Sequence, residues 1–396
     1  MARYIQNFDM LATDALRQDA LSIAEAGYAA IDVGEAIKRT LSIEHGELHI
    51  HNVTYRLEGR RVFFVGIGKC AQAAAAAIET LLGDSLEGGI ALDVFSAEKR
   101  RFTKIETYLG THPLPSEVNV RATRRIIEFL SGRKADDLVI MLISGGGSAL
   151  LCLPEAPMTY EDEGALFSEL TAKGASIQDI NTVRRHISRA RGGALAAAAY
   201  PAEVASLIVS DVPGNDIAHI ASGPTVLDAS TVADARAILA RYDIAFSANI
   251  ECVETPKEQK YFERVTNVLF LTNQNALKAM QSEAAERGYA VTIVNDRFTG
   301  EAHDIGRDVA EKLHEMSEKT ALLYAGESTV TLGTHPGIGG RNQEMALGAL
   351  KNIRAGELVL PFASDGHDNT DYAGAIGDSV TRAHERALNL SIKEYL

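Results

Sequence analysis

The residue types and spacings best suited to chemistry lie in glycine-rich stretches that follow apolar runs. Leu138–Leu151 reads LVIMLISGGGSALL: a branched apolar run, then Ser144, Gly145, Gly146, Gly147 and Ser148, then small apolar residues that can open a helix. Glycines let the backbone turn sharply and bring N–H groups close to a ligand, and such a loop feeding a helix start is a seat for an anion. A tight turn without a ligand is the plainer alternative, yet three consecutive glycines between two serines exceed what a turn needs. A second stretch, Gly66-Ile67-Gly68-Lys69-Cys70-Ala71, follows the apolar run Arg61–Val65. As G-x-G-x-x-A between strand and helix it is close to the dinucleotide fingerprint, with Asp93 roughly where an acid would meet a ribose hydroxyl. Lys69 inside the turn favours different chemistry, because a lysine there can neutralise charge on a transferring phosphoryl group.

Three further segments add charge. Ser210-Asp211-Val212-Pro213-Gly214-Asn215 and Ala221-Ser222-Gly223 come after an expected strand at Val204–Val209. Asp211 at the strand end suits Mg²⁺ through water or a substrate hydroxyl; a turn aspartate bonding its own backbone is the alternative. Arg184-Arg185-His186 closes an expected helix, where cations are favourable in themselves. Their density in an acidic chain suggests that at least one meets a carboxylate or phosphate. Gly326-Glu327 follows another strand, and Gly339-Gly340-Arg341-Asn342-Gln343 places an arginine and two amides at a glycine-rich helix start. The planar arginine fork suits bidentate holding of carboxylate or phosphate. Asp365, directly after a further strand, is a stronger candidate than the nearby His367. His49 and His51 would share one face of a strand, but no third metal ligand is adjacent. The sequence holds no G-x-S-x-G, no H-E-x-x-H and no Walker loop.

These loops need a scaffold that gathers strand ends, and the chain supplies one. Apolar strands alternate with helices from Arg61 to Tyr242 and again from Asn267 onward, which signals a parallel sheet with helices on both faces. In such sheets ligands gather outside the C-terminal strand ends. The fold expected is α/β, with two α/β domains, the first Rossmann-like with a mainly parallel sheet. The expected division is residues 1–245, a polar linker 246–265, and residues 266–396.

At 396 residues, two domains are the natural prior. Hydrophobic residues make up 46% and charged residues 23%, the balance of a soluble globular chain. A net charge of −14 argues against nucleic acid or an anionic membrane as partner. The cysteines Cys70, Cys152 and Cys252 are scattered, which fits a reducing cytoplasm better than a disulfide framework. The start, MARYIQNFDM, lacks the apolar core of a signal peptide, and no stretch approaches a membrane span. A cytoplasmic protein, monomer or homodimer, is expected.

Taken in order, VGIGKCA (65–71), THPLP (111–115), LISGGGSALL (142–151), INTVRRHISRARGG (180–193), VSDVPGNDIAHIASGPTVLD (209–228), YAGESTVT (324–331), GGRNQEMAL (339–347) and ASDGHDNTDYAGA (363–375) resemble the glycerate 2-kinase family that carries a C-terminal MOFRL domain. The resemblance spans nearly the whole chain. It implies ATP-dependent phosphorylation of D-glycerate at its 2-hydroxyl, with Mg²⁺, in a cleft between two α/β domains, and it makes Lys69 and Arg341 central. On that footing Lys69, Arg341 and Asp211 are the candidate catalytic groups, and Asp211 and Asp365 the candidate metal ligands. Gly66, Gly68, Ser144, Gly145, Gly146, Gly147, Ser148, Arg185, Asn215, Ser222, Gly223, Glu327, Asn342 and Asp365 are the candidate substrate- and nucleotide-binding residues. The competing expectations are an NAD(P)-dependent hydroxypyruvate reductase, resting on the glycines at 66 and 68, and a non-catalytic sensor of phosphorylated acids.

Overall fold

The structure is a computed structural model that describes residues 3–94, 101–210, 214–244, 250–332 and 337–391. It divides into two compact units: residues 33–272, and residues 1–32 together with 273–396.

This division differs from the expected one at both ends. The first residues form α1 (Phe8–Leu11) and α2 (Ala15–Ile31), separated where Asp14 accepts the Arg17 N–H and caps α2. The cap at Asp14 sets a new helix start. Helix α2 belongs with the C-terminal residues. Arg17 bonds both oxygens of Asp378, at 2.6 and 2.8 Å, and Asp19 takes Arg287 at 2.7 Å and the Tyr289 hydroxyl at 2.9 Å.

The residues expected to be a linker are in large part woven into the larger unit; 245–249 lie outside the described residues. The Val253 N–H donates to His186 O, Thr255 Oγ1 to Asp228, and Lys257 Nζ to the Asp228 carbonyl. The polar composition that reads as linker thus belongs to a largely exposed segment pinned by hydrogen bonds to the buried Asp228 and His186.

The larger unit starts with α3 (Val33–Thr40) and an antiparallel sheet of β1 (Leu41–Glu44), β2 (Glu47–Ile50) and β3 (Val53–Arg56). Six parallel strands follow: β4 (Val62–Ile67), β5 (Leu86–Asp93), β6 (Ile105–Leu109), β7 (Leu138–Ile143), β8 (Glu203–Val209) and β9 (Val265–Leu271). Their spatial order is β6-β5-β4-β7-β8-β9. Counted from β4 this is 3-2-1-4-5-6, the doubly wound order whose switch point lies between its first and fourth strands.

The central strands VFFVGI and LVIMLI are buried throughout, as expected of strands covered on both faces. Alternate residues separate into two cores. Val62, Phe64, Leu138 and Ile140 pack with Ala71, Ala74 and Ile78 of α4 (Ala71–Leu82). Phe63, Val65, Val139 and Met141 pack with Ala122 and Ile126 of α5 (Glu117–Ser131). The remaining helices are α6 (Gly147–Leu150), α7 (Tyr160–Ala172), α8 (Ile177–His186), α9 (Ala194–Ala199) and α10 (Val232–Arg241). Thr159 and Asp162 form a capping box at the start of α7.

In the smaller unit, α11 (Asn273–Glu286) leads to β10 (Ala290–Glu301), which pairs in parallel with β11 (Thr320–Thr329). Helix α12 (Ala302–Leu313) joins these strands, and α13 (Arg341–Leu350) follows. The short antiparallel pair β12 (Leu358–Val359) and β13 (Gly377–Asp378), then α14 (Ser379–Ala387), complete the unit. Ile23 of α2, Leu277, Ala284 and Leu323 form one of its cores. No helix among the described residues is long and apolar enough to cross a membrane.

Candidate active site

In the larger unit the switch between β4 and β7 brings the two glycine-rich loops together. Lys69 N–H donates to Gly145 O at 3.0 Å, and Ser144 N–H to Ile67 O at 2.9 Å, so the turns after the two strands are bonded to each other. Gly68 sits at φ 117, and a Cβ there would fall 2.1 Å from Ser144 Oγ. Only glycine fits that crossing. Gly66 is buried in β4 beneath it.

The exposed Lys69 extends its stem across the second loop. A Cβ built on Gly146 would lie 3.2 Å from Lys69 Cγ, 3.7 Å from Lys69 Cε and 3.4 Å from His112 Cδ2. Among the described residues, no acceptor takes the N–H groups of Gly145 and Gly146. Two backbone donors and a lysine stem therefore share one patch, which is chemically an anion seat. Ser144 does not belong to its surface. It is buried, and its hydroxyl donates to Ile67 O at 3.3 Å.

The loop's far side is latched to the segment 221–223. Ser148 Oγ is 3.0 Å from Ser222 Oγ, which in turn bonds Asn181 Oδ1 at 3.0 Å. Ala221, Ser222 and Gly223 have φ values of 50, 59 and 61, a left-handed run that non-glycine residues adopt at a cost. Gly147 meets this run so closely that an added Cβ would stand 2.5 Å from Ala221 Cβ.

Other expected binding residues lie differently. Arg185 is 7% exposed and engages Asp228 at 2.6 Å and His219 at 3.4 Å, an internal pairing rather than a ligand-facing one. Burial alone would raise the Asp228 carboxyl, but Ser230 and Arg185 hold it below its ordinary value. Asn215 is half-buried at φ 54. Asp211 lies outside the described residues. Asp93 is 3% exposed, its oxygens taking the Gln72 N–H at 2.9 Å and the Val94 N–H at 2.7 Å. It anchors the start of α4, where a ribose-binding acid would have to face outward.

In the smaller unit the glycine-rich start of α13 forms a second cluster. Exposed Arg341 donates to Glu327 Oε1 at 2.6 Å and to Ser328 O at 3.2 Å. Asp368, 3% exposed, receives the Asn342 N–H and side-chain amide, both at 3.0 Å, and the Gln343 N–H at 2.8 Å. It thereby closes the first turn of α13 from a distant loop. Asp365, the residue favoured from sequence, is exposed and takes the His367 N–H at 3.1 Å. Sequence reading missed Asp368, Asn181 and Asn119. Asn119 is fully buried, its side chain bonding both Thr111 and the Ala149 carbonyl. A polar residue on the inner face of an amphipathic helix was the available signal, since a buried amide needs partners.

Glu301, His303 and Glu344 place one ligand atom each within 4.8 Å of one another, the one such group among the described residues. His303 Nδ1 lies 3.0 Å from Glu344 Oε1, and Thr329 and Thr331 bond Glu301.

The family described as a domain of unknown function (DUF4147) matches residues 19–253, and the MOFRL family matches residues 320–396. The chain is 33% identical to a D-glycerate 2-kinase of Thermotoga maritima, over 98% of this chain and 92% of that protein. It is also 33% identical to a glycerate kinase of Homo sapiens, over 96% of this chain and 86% of that one. A relative from Agrobacterium vitis, 37% identical over 86% of this chain and 81% of its own, carries the provisional name of hydroxypyruvate reductase. A crystal structure of glycerate kinase from Thermotoga maritima superposes with a TM-score of 0.82 at 32% identity, covering 96% of this chain and 91% of that one.

Proposed function

The chain belongs to the glycerate kinase family with DUF4147 and MOFRL domains, and we propose that it transfers the γ-phosphoryl group of ATP to the 2-hydroxyl of D-glycerate. The observation that carries this reading is the stem of Lys69 lying across Gly146 beside two backbone donors that no acceptor takes among the described residues. Phosphoryl transfer is catalysed largely by positioning and by offsetting charge on the transferring oxygens. The Gly145 and Gly146 N–H groups hold phosphoryl oxygens, and the Lys69 ammonium offsets the charge that develops there. Arg341, with its planar fork, holds the glycerate carboxylate or the γ-phosphate, Glu327 orienting the guanidinium until the anion arrives.

Mg²⁺ is implied by the chemistry, and the donors present suit it. It takes one or two carboxylates together with phosphate oxygens. Asp365 offers an exposed carboxylate, and Asp211 is the second candidate. When bound, the ion neutralises charge on the nucleotide phosphates. An acceptor hydroxyl needs orientation more than full deprotonation, so no strongly perturbed histidine is required.

The reductase reading draws on one relative's name and on the glycines at 66 and 68. The acid it needs, Asp93, is buried against the start of α4. The kinase reading is tested by Lys69→Ala. Because Lys69 is exposed, the variant should unfold at the native temperature while turnover of ATP with D-glycerate falls by about 10²-fold or more. Near-native turnover would sink the role given to Lys69.

A further inference from the structure

Arg191 is 0% exposed and heads the large side chains that are fully enclosed. Its Nε and Nη2 both donate to the Ser148 carbonyl, at 3.0 and 2.6 Å. Nη2 also meets Glu163 Oε1 at 2.5 Å, and Nη1 reaches Arg184 O at 3.5 Å. Glu163 is 2% exposed, and its other oxygen accepts the Cys152 thiol at 3.4 Å. Burial, reinforced by the Glu163 charge, pushes that thiol up, so it stays a neutral donor. Beside it Arg184, stacked 4.1 Å over Phe167, is pushed down to about 10 by burial and by the Arg191 charge.

Stability alone accounts poorly for such a group. A buried ion pair replaced by apolar residues of similar volume is often neutral or more stable. What an apolar pair cannot supply is two N–H groups converging on one carbonyl oxygen, which fixes the Ser148 peptide plane at the end of the glycine loop. Ser222 holds the side chain of the same residue at 3.0 Å.

We propose that Arg191, backed by Glu163, is a positioning residue for phosphoryl transfer: by gripping the Ser148 carbonyl it sets the Gly145–Gly147 loop in register with Lys69. The inference rests on the kinase reading above. Arg191 touches no substrate in this account and acts through the loop.

The test compares the native chain with Arg191→Met, Arg191→Lys and the double variant Arg191→Met/Glu163→Leu, each by thermal unfolding and by kcat and KM for D-glycerate and ATP. Arg191→Met alone leaves a buried carboxylate unpaired and should lower the unfolding temperature. The double variant should regain the native unfolding temperature yet keep a kcat reduced by about 10- to 10²-fold, the size of effect a shift of about 1 Å produces. KM for D-glycerate should change by less than about threefold, since contacts to that substrate are untouched. Arg191→Lys keeps the charge beside Glu163 but loses the two-pronged grip. It should fold normally with an intermediate kcat, and it decides the matter if the double variant does not fold. Native kcat in either folded variant overturns the inference. Absence of turnover in the native chain itself would instead remove the kinase reading.

Discussion

Gly68 and Lys69 are adjacent and do opposite things: one must be absent as a side chain, the other must be present. At φ 117, with a virtual Cβ 2.1 Å from Ser144 Oγ, Gly68 lets β4 and β7 end side by side. Gly68→Ala should therefore cost about 3 kcal/mol or more, from strain and collision together, and abolish turnover. Urea unfolding measures the first effect, and near-native stability would show that the crossing can relax. At this scale the sequence was informative where a residue's own chemistry decided its place, as with Lys69 in a glycine turn. It was uninformative where burial decided. Asp365 and Asp368 are equivalent as letters three apart, yet Asp368 is buried beneath α13 and Asp365 is exposed. Arg185 reads as a candidate anion holder, but its counter-ion Asp228, 43 residues away, already faces it.

Among elements, the alternation of apolar strands with helices made the parallel sheet legible, and the buried runs VFFVGI and LVIMLI are its centre. Strand order was beyond reach, because it depends on pairings between β4 and β7 such as Val62 with Leu138, far apart in the chain. The docking of residues 250–264 also escaped, because hydrogen bonds from an exposed segment to buried partners look like solvated charge in one dimension. Helix α2 carries the clearest testable contact at this scale, the buried pair Arg17–Asp378. Burial would raise the Asp378 carboxyl, but the Arg17 guanidinium and the Thr381 N–H hold it below its ordinary value. A depressed folded value means the stabilisation is present above the unfolded value of about 3.9 and is lost as pH falls through the folded one. Arg17→Met should lower stability by about 3–5 kcal/mol at pH 7, with the gap to the native chain narrowing below about pH 4. A gap independent of pH between 7 and 3 would show that the pair's charge is not what stabilises α2.

For the whole molecule, two α/β units were legible, but their membership was not. The first 32 residues join residues 273–396 through contacts spanning more than 260 positions, such as Arg287–Asp19. Periodicity announces a helix without naming its partner. Function was legible because the motifs succeed one another in order along the chain, and the relatives of known activity match nearly all of it. Residue, element and whole chain together serve transfer of a phosphoryl group to the 2-hydroxyl of D-glycerate. Its most direct test incubates the protein with ATP, Mg²⁺ and D-glycerate and converts product with enolase alone, with no mutase present. Enolase accepts only the 2-phosphate, so phosphoenolpyruvate should form in step with ADP. ADP without phosphoenolpyruvate, or NADH consumption with hydroxypyruvate and no ATP turnover, would contradict the account.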